Sequence, residues 1–498
     1  MSRSASLDFA SAQETGGSAQ MPGSRGNYRH AFASGKRNKE LVANERIPDC
    51  KSGVFCSRVR AHPFHGASIN NDRAFRQNSL IEIFAAPYVP GIAQGSISRN
   101  AEQAGAILIV SELTLATGSQ ASGFIVVEGA MFSHAMLGLL AKGIPAVIVT
   151  SEQAASLHEG QLVQLDGYKG SIRSLPVATG ALPQSPAVPR PGQPVMSADG
   201  VAVALRASVR SVTGAKQAKT LGAESIGLVR TEFLEPDPIK LPDSFFYQQA
   251  FAELIEEADP LKVTFRLLDV ATDKLPGWVS GTRRFLGPLG RQGIRLFDDE
   301  NLREVVSAQI DAVVQIGMRE RVKLLVPYVS TVEEMQRVKG WIQGRAVLPV
   351  GTMLETPAAA MDIAAQLEVA DFAALGTNDL MQCFFGADRD DPTLRHYLNP
   401  YSPQLYRFLA RVAGDAGEKL PLVQVCGLLS QLPGVLPVML GLGFRAFSVD
   451  AAYIPFLAAT VRQTHVGEAR SLAEEVCRMK TETAVGSLLG ARVDKQVG

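Results

Sequence analysis

The sequence predicts an α/β protein with a C-terminal (β/α)8 TIM barrel, a small α/β domain before it and a disordered basic tail at the N-terminus. Three observations predict this. Eight short apolar runs alternate with helix-length segments over residues 201–480, a number and span that suit a (β/α)8 barrel. Further apolar runs, separated by turns and one helix-length stretch, crowd into residues 79–176. Residues 1–78 lack periodic hydrophobicity and carry twelve Lys/Arg against six Asp/Glu, so little apolar surface is available to offset their ordering entropy.

Each element follows from its own residues. After the tail, the first strand is read over residues 80–84, and the stretch 90–95 reads as a tight glycine-marked turn. Continuous apolar runs at 106–110, 123–127 and 146–149 read as buried strands, with one helix over 133–142. Several prolines and small residues make 177–200 a semi-rigid linker. Barrel strands are expected at 201–205, 225–229, 263–268, 322–326, 348–354, 372–375, 422–425 and 446–449, and 481–498 form a C-terminal tail.

Bulk properties narrow the function classes. The 498 residues are 46% hydrophobic and 20% charged, with 49 basic and 49 acidic side chains. Zero formal charge favours neither nucleic acid nor an anionic membrane as partner. No apolar run reaches the length of a transmembrane helix. The five cysteines show no zinc-ligand spacing, so free thiols in a reducing cytoplasm are expected, and the start carries no apolar signal core.

In a (β/α)8 barrel the chemistry sits just past the strands, and those positions are rich in charge. Arg230, Thr231 and Glu232 follow the second strand; Arg266, Asp269, Asp273 and Lys274 follow the third. Arg291, Gln292 and Arg295 come next, then Lys323 on the following strand, Glu355, the pair Asn378 and Asp379, Arg389, and Cys426 with Gly427. In the small domain His134 opens the helical stretch.

Three strings stand in order at these strand ends: Gly-Leu-Val-Arg-Thr-Glu-Phe-Leu (227–234), Leu-Glu-Thr-Pro-Ala-Ala (354–359) and Leu-Gly-Thr-Asn-Asp-Leu (375–380). Together they resemble the barrel of the phosphoenolpyruvate-utilising enzymes, the family of enzyme I of the bacterial sugar phosphotransferase system, phosphoenolpyruvate synthase and pyruvate phosphate dikinase. The resemblance spans about residues 80–480. The loop Glu-Gly-Ala-Met-Phe-Ser-His-Ala (128–135) is similar to the phosphohistidine loop of that family's swivelling domain.

The resemblance implies a role for each residue. Arg230 and Arg295 would hold the phosphoryl group, Lys323 would stand in for a further Arg there, Arg389 would lie near the substrate carboxylate, and Asn378 would touch the substrate. Forked guanidinium groups suit a ligand bearing both a phosphate and a carboxylate. Glu355 and Asp379 would ligate Mg²⁺, a hard cation that takes oxygen. Cys426 would protonate the pyruvate enolate, since an ordinary thiol is protonated at neutral pH. His134 would take the phosphoryl group on a neutral imidazole nitrogen.

The implied activity is a Mg²⁺-dependent phosphotransferase that moves the phosphoryl group of phosphoenolpyruvate through His134 to an unidentified acceptor, a protein or a small molecule, and releases pyruvate. Two other readings stay open: a phosphoenolpyruvate sensor without turnover, and a barrel enzyme doing other enolate chemistry. The sensor reading is motivated by departures from the family pattern at Phe132, Gln292 and Leu428. Phe132 replaces Thr, Met131 and Leu140 replace basic residues, Gln292 replaces Arg, and Leu428 replaces Glu. The helical insert that docks enzyme I's carrier has no room before residue 106, and no ATP-binding domain precedes residue 80. Homologous barrels suggest a homodimer.

Overall fold

Val- and Ile-rich runs that are apolar on both faces become the central strands of the small domain. The computed structural model describes residues 82–111, 120–176, 186–234, 240–270, 290–317 and 320–490. The N-terminal tail, the first part of the linker, Asp273, Lys274 and the last eight residues therefore lie outside the described residues. The small domain is one eight-stranded sheet ordered β1-β8-β7-β3-β4-β5-β6-β2. Its core is a parallel set: β3 (Ile92–Ser98), β4 (Ile107–Ser111), β5 (Gly123–Val127) and β6 (Ala146–Val149). Antiparallel strands flank it, with β1 (Glu82–Phe84), β7 (Leu162–Asp166) and β8 (Ser171–Ser174) on one side and β2 (Ala86–Val89) on the other.

Between β5 and β6 runs helix α1 (His134–Lys142). Ser133 caps it by accepting a hydrogen bond from the Met136 N–H, and Gly143, with φ 65°, ends it in the left-handed conformation. Met136, Leu137, Leu139 and Leu140 of α1 are buried. This packing fixes the helix, and so places His134 at its half-buried start.

The larger domain is a closed barrel of eight parallel strands: β10 (Ala202–Val209), β11 (Ile226–Arg230), β12 (Val263–Arg266), β13 (Val322–Val326), β14 (Val350–Leu354), β15 (Ala373–Gly376), β16 (Val423–Cys426) and β17 (Ala446–Asp450). Closure is direct, because β10 pairs in parallel with both β11 and β17. A two-residue strand, β9 (Val195–Met196), is added antiparallel to β10. The eight strands therefore lie where the sequence predicts them, within a few residues at each end. Helices such as α4 (Ser244–Ala258), α5 (Glu300–Ile316), α6 (Val332–Gln343) and α10 (Pro403–Ala416) surround the barrel, each burying one apolar face. No described helix is long and apolar enough to cross a membrane.

Side chains fill the barrel in layers. Low in the barrel, Arg206 Nη1 donates to Gln424 Oε1 at 3.0 Å, and Gln424 Nε2 donates to the Gly227 carbonyl at 2.9 Å. A Cβ at Gly227 would lie 2.9 Å from Arg206, Gln424 and Ser448 atoms, so only glycine leaves room for this plug. One layer higher, Leu228, Leu325, Met353, Ala374 and Cys426 form an apolar cluster with Phe372. The charged groups stand above that, at the C-terminal ends of the strands.

Candidate functional site

Every strand from β11 to β17 except β13 delivers a polar group to the same end of the barrel at its last residue or just beyond. Arg230 ends β11, Arg266 ends β12, Glu355 follows β14, Cys426 ends β16 and Asp450 ends β17. Asn378 and Asp379 sit in the first turn of α9 (Thr377–Phe385), which starts directly from β15. A cavity of about 30 Å³ is lined by Arg230, Arg266, Asp269, Gln292, Glu355, Asn378, Asp379, Arg389 and Cys426, among others. The structure thus brings six of the predicted barrel residues together: Arg230, Asn378, Arg389, Glu355, Asp379 and Cys426.

Local hydrogen bonds hold these groups in place. Glu355 Oε2 accepts from the Tyr328 N–H at 3.1 Å, and Asn378 Oδ1 accepts from the Leu428 N–H at 3.0 Å. Thr377 Oγ1 donates to the Cys426 carbonyl at 2.7 Å. Between them Gly427 adopts φ 104°, and a Cβ there would come within 2.8 Å of Asn378 Oδ1. The loop after Cys426 can therefore pass under Asn378 only as glycine. The Arg389 N–H donates to Gln382 Oε1 at 2.9 Å, which ties the next loop to α9.

Electrostatics divide the cations into two kinds. Arg266 is already neutralised: it is paired with Glu232 and lies 2.8 Å from Asp269, all three side chains being buried. Arg230 differs, because no described carboxylate forms an ion pair with it, and its Nε, like that of Arg266, is buried without a hydrogen-bond partner. Burial, followed by Arg210 and Arg266, pushes its guanidinium down to about 10. Such a group is destabilised until an anion arrives. Arg389 lies 3.3 Å from Asp379 and also carries a buried, unpartnered Nε.

The carboxylates show the opposite strain. Burial, and then the nearby Asp379 and Asp269, raise the Glu355 carboxyl well above the ordinary range. Glu355 and Asp379 are 1% and 8% exposed, so their repulsion is little screened by water. Among the described residues no group of three or more His, Cys, Asp or Glu could hold a metal ion alone. Two buried carboxylates nevertheless fit Mg²⁺, which takes one or two of them and completes its shell with substrate and water oxygens. Burial, then Glu355, pushes the Cys426 thiol up to about 12, so it keeps its proton at neutral pH.

The small domain is seated over this end of the barrel. His134 Nε2 lies 2.7 Å from Arg389 Nη2, and His134 Nδ1 lies 2.7 Å from Asp390 Oδ2. Around it, Arg395 bonds the Glu128 carbonyl and carboxylate, Arg210 Nη2 donates to the Leu137 carbonyl at 3.1 Å, and Tyr453 donates to the Tyr88 carbonyl. The ring of Tyr168 packs 4.5 Å from that of Phe456. A larger cavity of about 1100 Å³ runs along this seam and reaches Arg389.

Two predicted residues stand elsewhere. Lys323 is the second residue of β13 and lies beside Thr264 near the start of β12, with its ammonium 5.1 Å from the centre of the Phe372 ring. Its charged neighbours are Arg206, Lys262, Glu224 and Asp371, at the opposite end of the barrel from the cavity. The resemblance implies a role for Lys323 by residue type, but a residue so near the strand's start stands away from the C-terminal rim. Arg295 is on the correct rim but does not line the cavity. Its guanidinium donates to the Gly290 carbonyl at 3.0 Å and to Ser330 Oγ at 3.1 Å, over the Tyr328 ring.

Conversely, Arg266, Asp269 and Glu232 were noticed as strand-end residues but given no role. Their strand-end position was the available signal. Leu428, which stands where the family pattern has Glu, is fully buried apolar packing, and Gln292 lines the cavity.

Comparison with known proteins agrees with this geometry. The family model described as the PEP-binding domain of PEP-utilising enzymes matches residues 190–466, and the one described as their mobile domain matches residues 103–170. The phosphoenolpyruvate-protein phosphotransferase of Bacillus sp. (strain S) is 28% identical over 411 residues, covering 77% of this chain and 71% of that protein. The proteins of the same name from Haloferax volcanii and Bacillus subtilis are 29% and 27% identical over 406 and 407 residues, covering 77% and 76% of this chain and 72% and 71% of theirs. With a match over the whole barrel and a second over the small domain, the chain belongs to the family of phosphoenolpyruvate-utilising enzymes.

Proposed function

We propose that this enzyme moves the phosphoryl group of phosphoenolpyruvate onto Nε2 of His134, releases pyruvate, and passes the phosphoryl group to a second acceptor. Phosphoryl transfer from phosphoenolpyruvate goes with the family; the residues named here are our reading. The observation that carries it is a single bridge: Arg389 touches His134 Nε2 at 2.7 Å and Asp379 at 3.3 Å, so one guanidinium joins the imidazole to the barrel's carboxylates.

Each residue then has a task. Arg230, buried with an unsatisfied Nε, binds the phosphoryl oxygens, and Arg389 steers the substrate toward the imidazole. Glu355 and Asp379 would hold Mg²⁺, which when bound neutralises charge on the phosphoryl and enolate oxygens. Asn378 fixes the substrate beside them. Cys426, a thiol at neutral pH, lies in the cavity wall and gives its proton to the enolate carbon. The relatives' name makes a protein the favoured class of acceptor. A cytoplasmic location belongs to the same reading.

Incubation with ³²P-labelled phosphoenolpyruvate and Mg²⁺ tests the proposal. Acid-labile label on the chain, absent from His134→Ala, is the expected result. Tight binding without label or pyruvate would instead identify a sensor. Products other than pyruvate would identify different enolate chemistry.

A further inference from the structure

The residue after Arg389 does something that the family strings do not announce. We propose that Asp390 is a positioning residue for His134, fixing its imidazole as the Nδ1–H tautomer only while the small domain is seated on the barrel. The kinetic part of this inference rests on the phosphotransfer reading; the tautomer part stands without it.

The geometry is a two-point grip. Asp390 Oδ1 accepts a hydrogen bond from the backbone N–H of His134 at 2.9 Å, and Oδ2 lies 2.7 Å from Nδ1 of the same residue. His134 is the first residue of α1, so its N–H is one of the helix-start donors that has no partner within the helix. A carboxylate at that end also meets the positive pole of the helix. Ser133 serves another open donor, at Met136. One carboxylate of the barrel thus seats the small domain's helix and orients its first side chain in the same act.

The tautomer follows from the chemistry of the two partners. A guanidinium only donates hydrogen bonds, so His134 Nε2, 2.7 Å from Arg389 Nη2, must present its lone pair. The single ring proton of the neutral imidazole then sits on Nδ1 and is donated to the Asp390 carboxylate. The other tautomer would set an N–H against Arg389 and a lone pair against a carboxylate, two repulsions at once. Although burial acts to raise it, the hydrogen bonds from His134 hold the Asp390 carboxyl down at about 2, so it is an anion throughout the working pH range.

In the transfer step the Nε2 lone pair forms the N–P bond. The P–O bond to the enol carbon breaks, its electron pair leaves on the enolate oxygen, and the enolate carbon takes the Cys426 proton. Because Nδ1 keeps its own proton, the phosphorylated ring is cationic, and Asp390 faces that new charge across the Nδ1–H bond. Imidazole and carboxylate belong to different domains. The nucleophile is therefore correctly oriented only where phosphoenolpyruvate is bound, and the ring loses its counter-charge once the small domain departs.

The test uses the full chain with ¹⁵N-labelled histidines, His134 being assigned among the seven by comparison with His134→Ala. At pH 8 the wild type should show the Nδ1–H form, and Asp390→Ala a shift toward the Nε2–H form. In parallel, Asp390→Ala should lower the rate of labelling from phosphoenolpyruvate by about tenfold to a hundredfold, with KM changed less than about twofold. Asp390→Asn retains an acceptor without charge, so it should keep the tautomer and still lose much of the rate. It also serves if the alanine variant does not fold. An unchanged His134 tautomer in a folded Asp390→Ala chain overturns the proposal whether or not label is incorporated. A wild-type chain that takes no label sinks the phosphotransfer reading alone, and the nitrogen spectrum then decides the role of Asp390.

Discussion

The barrel rim and the small domain contribute to the site in very different ways. The rim gathers Arg230, Arg266, Glu232, Asp269, Glu355, Asp379 and Arg389 from several strands and loops, most of them buried. The small domain presents one imidazole, and both of its ring nitrogens meet barrel side chains. In the reaction we propose, substrate recognition belongs to the barrel and the small domain supplies a portable nucleophile. This division explains how Met131, Phe132 and Leu140 can replace the polar residues of the family pattern: the charges around His134 come from the other domain.

The sharpest way to break that division is His134→Ala. Acid-labile label should fall by at least about 10⁴-fold, while calorimetry with phosphoenolpyruvate and Mg²⁺ shows affinity within about threefold of wild type. An equal loss of binding would mean that the small domain takes part in recognition. Next comes Glu355→Gln, for which transfer should drop on the order of 10³-fold. The same variant should unfold at a higher temperature, because an amide in place of Glu355 removes a buried charge facing Asp379 and Asp269. A lower melting temperature would refute the strain ascribed to this rim.

Cys426→Ala should slow pyruvate formation by about 10²-fold, with little change in phosphoenolpyruvate affinity. Pyruvate release at the wild-type rate would take the proton donor elsewhere.

Two smaller effects test the seam and the barrel floor. Asp450 lies near Arg210, which bonds the small domain, and burial raises its carboxyl to about 6. A folded-state value above the unfolded one means that the native chain binds the extra proton between about pH 4 and 6. Stability should decline as pH rises through that window, and Asp450→Asn should flatten the decline, by on the order of 1–2 kcal/mol in urea titrations. Lys323→Ala should change activity less than about twofold, since the side chain stands at the far end of the barrel. A large loss would restore it to the substrate site.

Legibility in the sequence followed the same physics. Barrel strands such as Val-Lys-Leu-Leu-Val and Val-Gly-Thr-Met-Leu are buried on both faces, so they appear as nearly continuous apolar runs. The strands that escaped notice in the small domain, Leu162–Asp166, Ser171–Ser174 and Ala86–Val89, mix polar residues or Pro87 into short segments. In the site, linear strings marked Glu355, Asn378 and Asp379, because one strand end places each of them. The place of Lys323 away from the cavity is not legible, because residue type alone does not give height in a barrel. The role of Asp390 is not legible in the sequence because its partner is 256 residues away and lies in the other domain. No local pattern encodes such a pair.

The Arg206–Gln424–Gly227 hydrogen bonds make the barrel a vessel stoppered at its base. Traffic in and out must then use the mouth, where His134 and its helix are seated. In the reaction we propose, phosphoenolpyruvate enters and pyruvate leaves by that mouth, along the seam between the two domains.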